Sequence, residues 1–510
     1  MNTSRDRIEI VIGQVLAKAS SWIKTTDGRL QFVDPVDGIE ISAHYGATHM
    51  AASMILWGTN HQDNSVRNKG LALLESILDR WDTNVKLPVF HFDFNNFALC
   101  LIYDTLGNGD GDLKKRICSI VIRTLDSNHQ TVNWLPMRMI VNQHRYEWTG
   151  NEAFMNKAKE CATQIQKATY PDGGIDDRLP RGISFNLQYD LATVAVLQYA
   201  IVHGHKESIE KELGFLLKAV APDGDINYQG RGTNQIFAWG LWIYLLAASG
   251  QEEMLSLALD YLDARLGVML DNNNMMLNEW SGVEKYLWWD YHYASVYTAH
   301  LLLWLVLAYQ DFGKQKVVLK IPVKSETGLH IMRSDKFFVS WFEGRNEYLS
   351  EKGPAVSCIW SKNAGVICKG AFSPWHGAFG NDHSFDNVSL TNYCGLIEVQ
   401  NNKDISKNRV IHRLFPSAGP KIFWLRESPV FCPLEVAESD GALTIIWRYE
   451  GKGDVVLNVP SIPESLQCIV LADGELQPLT LTGKIRNQYG WVNVFRTRPM
   501  MASQICMIIK

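Results

Sequence analysis

Up to about residue 310, apolar positions recur along the chain at helical spacing. The pattern predicts helices over Arg5–Lys24, His44–Trp57, Ser65–Trp81, Phe92–Leu106, Asp112–Asp126, Glu152–Ala168, Ser184–His203, Lys206–Val220, Gln235–Ser249, Glu252–Leu270 and Asp290–Gln310. Clusters of Gly, Asn, Asp and Pro separate them. Pro171-Asp172-Gly173 and Pro222-Asp223-Gly224 lie 51 residues apart, each after a helix and before a polar loop. That period suits one helical hairpin plus a long loop. Six such hairpins closed into a ring make an (α/α)6 toroid. An open solenoid is the alternative, but loops this long and this rich in polar chemistry favour the ring.

From Val317 the period shortens. Val317–Val323, Phe337–Phe342, Gly365–Cys368, Gly395–Val399, Leu443–Tyr449, Asp454–Val459, Gln467–Leu471, Trp491–Phe495 and Ile505–Ile509 read as short strands between turn residues. The expected architecture is therefore a helical toroid over 1–315 followed by an antiparallel β-sandwich over 316–510.

Composition narrows the function. A formal net charge of −5 provides no basic surplus for nucleic acid, while leaving room for a local basic cleft. No apolar run approaches the roughly 20 residues of a membrane span, and no signal peptide is visible. A cytoplasmic protein with reduced thiols is the simplest account, or an exported one if a leader has been removed. The nine cysteines form no CxxC pair, so neither a zinc ribbon nor a disulfide framework is suggested. Eleven of the 17 tryptophans precede residue 310, enough for both a helical core and sugar-stacking platforms.

The densest polar runs fall between the predicted helices. They are Asn142-Gln143-His144-Arg145-Tyr146-Glu147-Trp148, the stretch Arg178 to Asp190, Asn227 to Gln235, and Asn278-Glu279-Trp280 continuing to Trp288 through Tyr293. Amides, Arg, His and Tyr dominate over paired carboxylates. That mixture suits β-elimination on a uronic acid. Abstraction of H-5 requires the C-6 carboxylate to be neutralised by amide, guanidinium or imidazolium donors. It also requires a base and a proton donor for the departing glycosidic oxygen. A tyrosine with an ordinary pKa near 10 needs a cationic neighbour to serve as base, and Arg181 or Arg231 could supply one.

On these residues the chain resembles the toroid-plus-sandwich polysaccharide lyases, the superfamily of heparinase II/III-like, alginate and chondroitin/hyaluronate lyases. Asn142-x-His144 resembles the Asn/His element that holds the uronate carboxylate. Tyr189, following a Pro-Asp-Gly loop, resembles the catalytic tyrosine. Gly230-Arg231-Gly232 resembles the Gly-Arg loop that comes after it. His376 to Phe385 resembles the signature H-x-H-x-D-x-x-S-F, although the second histidine is missing from its usual place and Asp382 is offset. The resemblance implies Tyr189 as base and acid, His144 as its partner or as the base for the other epimer, Arg231 and Asn142 on the carboxylate, and His376 reaching in from the sandwich. Gln143, Arg181, Asn234, His292 and Trp288 would bind substrate.

No cofactor is required by this reading, although a structural divalent metal in the sandwich is compatible with it. The expected partner is an anionic polysaccharide or oligosaccharide, acted on by a monomer or homodimer. Two rivals stand beside the lyase. One is a glycoside hydrolase using a carboxylate pair drawn from Asp172, Asp176, Asp177, Glu279 and Asp290. The other is a non-catalytic glycan-binding protein in which the aromatics matter and the polar loops only brace the ring.

Overall fold

The computed structural model describes residues 3–35, 38–83, 91–124, 126, 131–182, 184–204, 208–230, 232–271, 293–322, 324–343, 355–369, 397–399, 434–448, 455–460, 463–487, 489–498 and 500–510. Twelve α-helices occupy the first 310 residues among these. They are α1 (Ser4–Ser20), α2 (Gly46–Asn60), α3 (Asn64–Thr83), α4 (Phe92–Thr105), α5 (Gly111–Arg123), α6 (Leu135–Thr149), α7 (Glu152–Ala168), α8 (Leu187–Val202), α9 (Glu210–Ala219), α10 (Ile236–Ser249), α11 (Glu252–Asp271) and α12 (Ala294–Gln310).

Two kinds of helix alternate, and their sequences explain why. The odd-numbered helices carry one apolar stripe. In α1 the buried positions are Ile8, Val11, Ile12, Val15, Leu16 and Ala19, one face of a period near 3.6. The even-numbered helices other than α6 are mostly apolar on every side. Every residue of α10, Ile236–Ser249, is buried, and α8 and α12 are almost as enclosed. A helix without a polar face must be covered on all sides. The contacts satisfy that requirement by ring closure: α2 packs on α4, α4 on α6, α6 on α8, α8 on α10, α10 on α12, and α12 returns to α2. The amphipathic helices form the outer layer, with α3 against α2, α7 against α6, α9 against α8, α11 against α10, and α1 against α12 and α11. This is the (α/α)6 arrangement. Phe97 from α4 stacks on Trp304 from α12 across its centre, with ring centroids 5.9 Å apart.

The two Pro-Asp-Gly segments are structural twins. Tyr170 N–H donates to Gly174 O at 2.8 Å, and Ala221 N–H donates to Asp225 O at 2.8 Å, 51 positions later. Both turns lead from an outer helix to an inner one.

Three departures from the expected elements stand out. Residues 142–148, read as a loop, lie inside α6: the polar run is a helix whose buried side is largely polar. A β-hairpin, β1 (Ile23–Thr26) and β2 (Arg29–Phe32), follows α1 and was not anticipated. Residues 317–322 are not a strand. They are the connector out of α12, and Val318 there is 79% exposed.

The C-terminal part is built from antiparallel sheets. The first contains β3 (Leu329–Arg333), β4 (Phe337–Phe342), β5 (Ala355–Ser361) and β6 (Gly365–Lys369) in sequence order. Its strand β4 reads as a continuous apolar run because both faces are covered. Phe338 and Phe342 join the toroid core, while Phe337 and Val339 join a second core. Further strands are β7 (Ile397–Val399), β8 (Leu434–Ser439), β9 (Ala442–Arg448), β10 (Val455–Pro460), β11 (Cys468–Ala472), β12 (Glu475–Leu476), β13 (Thr480–Asn487), β14 (Gly490–Arg496) and β15 (Gln504–Ile509). They form a five-stranded sheet ordered β12-β11-β15-β9-β8 and a four-stranded sheet ordered β13-β14-β10-β7. Leu443, Ile445, Trp447, Leu457, Ile505 and Met507 fill the second core beneath the first sheet.

No helix among the described residues is long and apolar enough to cross a membrane. Cys100, Cys118, Cys161, Cys358, Cys468 and Cys506 are free, but Cys368 is disulfide-bonded, which departs from the expectation of reduced thiols throughout.

Candidate functional site

The inner helices start at one end of the ring, and side chains tie those starts together. Thr48 Oγ1 at the head of α2 donates to Asn95 Oδ1 at the head of α4, 2.7 Å. Val132, in the turn leading to α6, donates its N–H to Asp177 O in the loop before α8. Leu187 N–H at the head of α8 donates to Gln229 Oε1, 3.2 Å. Ser295 at the head of α12 donates through N–H and Oγ to Asp34 Oδ2, at 2.9 and 3.0 Å.

This end of the ring carries an unusual concentration of phenol and imidazole groups. Tyr45, just before α2, stacks on Phe94 of α4 with centroids 4.4 Å apart. His44 lies over His91 at 4.2 Å and meets the edge of Tyr293 at 4.9 Å. Trp134, before α6, flanks His91 at 5.3 Å. Tyr189 occupies the third position of α8 and Tyr297 the fourth of α12. Their phenols are near enough to Tyr45 to disfavour its ionisation. Burial comes first, followed by Tyr297 and Tyr189, in pushing the Tyr45 phenol well above its ordinary value. Tyr45 therefore keeps its proton and is suited to donating a hydrogen bond. His44 and Tyr293 are half-buried, whereas Tyr45, His91, Trp134, Tyr189 and Tyr297 are buried.

His91 combines strain with a fixed tautomer. It precedes α4 with φ 64°, a left-handed conformation that costs a non-glycine residue on the order of 1 kcal/mol or more. Its Nδ1 lies 3.2 Å from Ala43 O, which can only accept, so the ring proton is on Nδ1 and the basic lone pair is on Nε2.

The residues singled out from sequence divide sharply. Tyr189 is at this cluster. His144 is not: it is the tenth residue of α6, nine steps beyond Leu135. At about 1.5 Å per residue this is roughly 13 Å down the ring from the helix starts. Its Nε2 pairs with Asp104 Oδ2 at 3.0 Å and its Nδ1 with Ile140 O at 3.1 Å. Burial works against its charge, but the hydrogen bond and charge of Asp104 prevail and hold its pKa above the ordinary imidazole value.

Asn142 is wholly buried. It donates to Asp126 Oδ2 at 3.1 Å and Arg138 O at 2.9 Å, and accepts from Arg145 at 3.1 Å, inside an ionic cluster with the Arg145–Asp126 pair. Those bonds tie α6 to the segment that follows α5, so its amide is committed. Gln143 is half-buried on the same helix. Arg181 is exposed, donates to Thr169 O at 2.6 Å and lies over the ring of Tyr170. Asn234 is buried with φ 55°; its N–H donates to Asn227 O at 2.9 Å, and its Oδ1 accepts from Tyr261 at 3.2 Å. Arg231, Trp288, His292 and His376 lie outside the described residues.

The carboxylates of the hydrolase reading are mostly spoken for. Asp172 Oδ2 accepts from the N–H groups of Glu326 and Thr327 at 2.7 and 3.0 Å. Asp176 accepts from Tyr170 at 3.1 Å and Gly182 N–H at 2.7 Å. Asp177, in the loop before α8, is buried against the turn before α6, where its Oδ1 accepts from Asn133 N–H at 3.4 Å. Glu279 and Asp290 are outside the described residues. Asp190 is wholly buried beside Tyr189 in sequence, and burial, with Asp172, Glu212 and Asp176 nearby, pushes its carboxyl well above the usual range. Among the described residues no group of three or more His, Cys, Asp or Glu side chains is placed to hold a metal ion.

The residues that the sequence pattern did not single out share one signal. His44, Tyr45, His91, Trp134 and Tyr297 all fall within four residues of the start of an even-numbered helix, as does Tyr293 from the last polar run.

No family model matches this chain, and no curated protein matches it. Solved structures overlap with the helical part. A Listeria innocua protein from a structural genomics programme is 10% identical, with a TM-score of 0.44, covering 61% of this chain and 98% of that one. An α-1,6-mannanase of Salegentibacter sp. HEL1_6 is 10% identical, with a TM-score of 0.41, covering 59% and 99%. An unsaturated glucuronyl hydrolase from Streptococcus agalactiae is 13% identical, with a TM-score of 0.40, covering 61% and 92%.

Proposed function

We propose that the protein is a glycan-processing enzyme whose active centre is the Tyr45–His91–Tyr189–Tyr297 cluster, and that it cleaves a uronate-containing glycan by β-elimination. The observation that carries this reading is the convergence of three phenols with a tautomerically fixed imidazole at one end of a closed helical ring. Elimination needs a base at C-5 and an acid at the leaving oxygen, and phenol and imidazole groups serve both. Tyr189 remains the proposed base and acid. His91, with its basic Nε2, takes the role the sequence pattern suggested for His144. Tyr45, which holds its proton, is a second donor. Tyr293, half-buried beside His44, is the proposed aromatic platform for a sugar ring. Arg231 remains the proposed carboxylate partner. The C-terminal sheets best fit a β-sandwich, as the resemblance implies.

Glycoside hydrolysis is the second reading, favoured by the raised carboxyl of Asp190. Incubation with a panel of uronate polysaccharides, read by ultraviolet absorbance and mass spectrometry, separates the two. Elimination gives a conjugated, absorbing product lighter by one water than its hydrolytic counterpart. Saturated products would replace the lyase reading with the hydrolase one.

A further inference from the structure

The first sheet and the β13–β14 turn reach the toroid at the second Pro-Asp-Gly loop. Lys369, the last residue of β6, is buried with its Nζ 2.6 Å from Asp223 Oδ2 and 2.9 Å from Asp225 Oδ2. Tyr489, in the β13–β14 turn, places its hydroxyl 2.8 Å from Asp225 Oδ2 and 2.8 Å from Asn227 O. An ammonium and a phenol from the C-terminal part thus hold two consecutive stations of one toroid loop. An ion pair this enclosed is expensive to break, because removing one partner strands the other away from water.

From there the contacts lead to the proposed active centre. Asn227 N–H donates to Asp225 Oδ1 at 2.7 Å. Its side-chain amide donates to Gln188 Oε1 at 3.0 Å and to Gly232 O at 2.8 Å. Gln229 Oε1 accepts from Leu187 N–H. Gly230 and Gly232 lie so close to Asn186 and Gln188 that an added Cβ would sit 2.8 and 2.6 Å from their side chains. Asn186, Leu187 and Gln188 are the cap and first two residues of α8, immediately before Tyr189.

We propose that Lys369 and Tyr489 are positioning residues: through them the C-terminal part fixes the loop from Asp225 to Asn234, and that loop sets the first turn of α8 and the aim of Tyr189. The inference rests on the proposed role of Tyr189, so its test includes a readout independent of activity. In Tyr489→Phe, which removes only the hydroxyl, amide hydrogen exchange is expected to rise in peptides covering 184–190 and 226–235 and to stay unchanged in the α2–α3 hairpin. On the wild-type substrate, kcat is expected to fall about tenfold while KM changes less than about twofold, because misaim costs rate before it costs binding. Asp223→Asn, at the partly exposed partner of Lys369, should produce a smaller change in the same peptides.

Unchanged exchange in both segments for both variants, or a uniform rise across the whole ring, would overturn the proposal. A raised KM with kcat preserved would do the same. If the wild-type protein acts on no uronate glycan, the functional reading fails, while the exchange pattern still decides whether the clamp exists.

Discussion

Tyr189→Phe is expected to lower turnover of a uronate glycan by about a hundred- to ten-thousandfold, the range typical of losing a general acid–base group. Binding should change little. Tyr189 is buried to 8% exposure at the head of α8, and phenylalanine keeps its ring and packing. Only the hydroxyl is lost, from a phenol close enough to Tyr45 to disfavour its ionisation. Steady-state kinetics with circular dichroism and a thermal melt checks this: kcat should collapse while fold and KM persist. Retention of more than a third of wild-type kcat would remove Tyr189 from the chemistry and leave His91 and Tyr45 as the remaining acid–base pair.

Acid is expected to destabilise the ring strongly, through two histidines beneath the cluster. His49 Nε2 lies 3.3 Å from Phe94 O and must carry the proton there. Its Nδ1 then accepts from Nδ1–H of His300, 3.3 Å away. Both rings are fully buried, with His300 stacked on Phe237 at 4.3 Å. Burial pulls the His49 pKa down to about 3, and burial with His49 alongside pulls His300 well below its ordinary value. A folded-state pKa below the unfolded one means that the unfolded chain binds more protons as pH falls. The stabilisation is therefore complete above the ordinary imidazole pKa near 6.5 and is lost progressively from there down toward pH 3. One pKa unit corresponds to about 1.4 kcal/mol, so His49 alone accounts for a loss of about 5 kcal/mol by pH 3. Urea midpoints measured between pH 7 and 4 should fall steeply in the wild type and more gently in His300→Gln. Equal slopes would show that the pair does not govern acid stability.

Much of the architecture was legible because inner and outer helices obey different rules. The all-apolar run of α10 and the single stripe of α1 are visible without coordinates, and the twin Pro-Asp-Gly turns marked the hairpin repeat. What failed was α6. Its run from Asn142 to Trp148 resembled a loop because Asn142, Arg145 and Arg138 serve a buried ionic cluster, and polar residues on the covered side of a helix erase the periodicity that identifies it. His144 was misplaced for the same reason. A residue in a loop can reach any neighbour, whereas one fixed on a helix nine residues from its start cannot. Tyr189 was correctly sited at the head of a helix, but its neighbours come from segments 45 to 297, and one sequence does not say which helix starts meet. The reduced-thiol expectation failed at Cys368, since spacing alone does not reveal a pairing that the fold creates.

The central claim is that chemistry occurs where the inner helices begin. It is tested most directly by a crystal structure of Tyr189→Phe soaked with a uronate oligosaccharide. The account predicts a sugar ring among Tyr45, His91, Trp134 and Tyr297, with its C-5 facing the ring of residue 189. Sugar density at the opposite end of the ring, near His144 and Asp104, would contradict it.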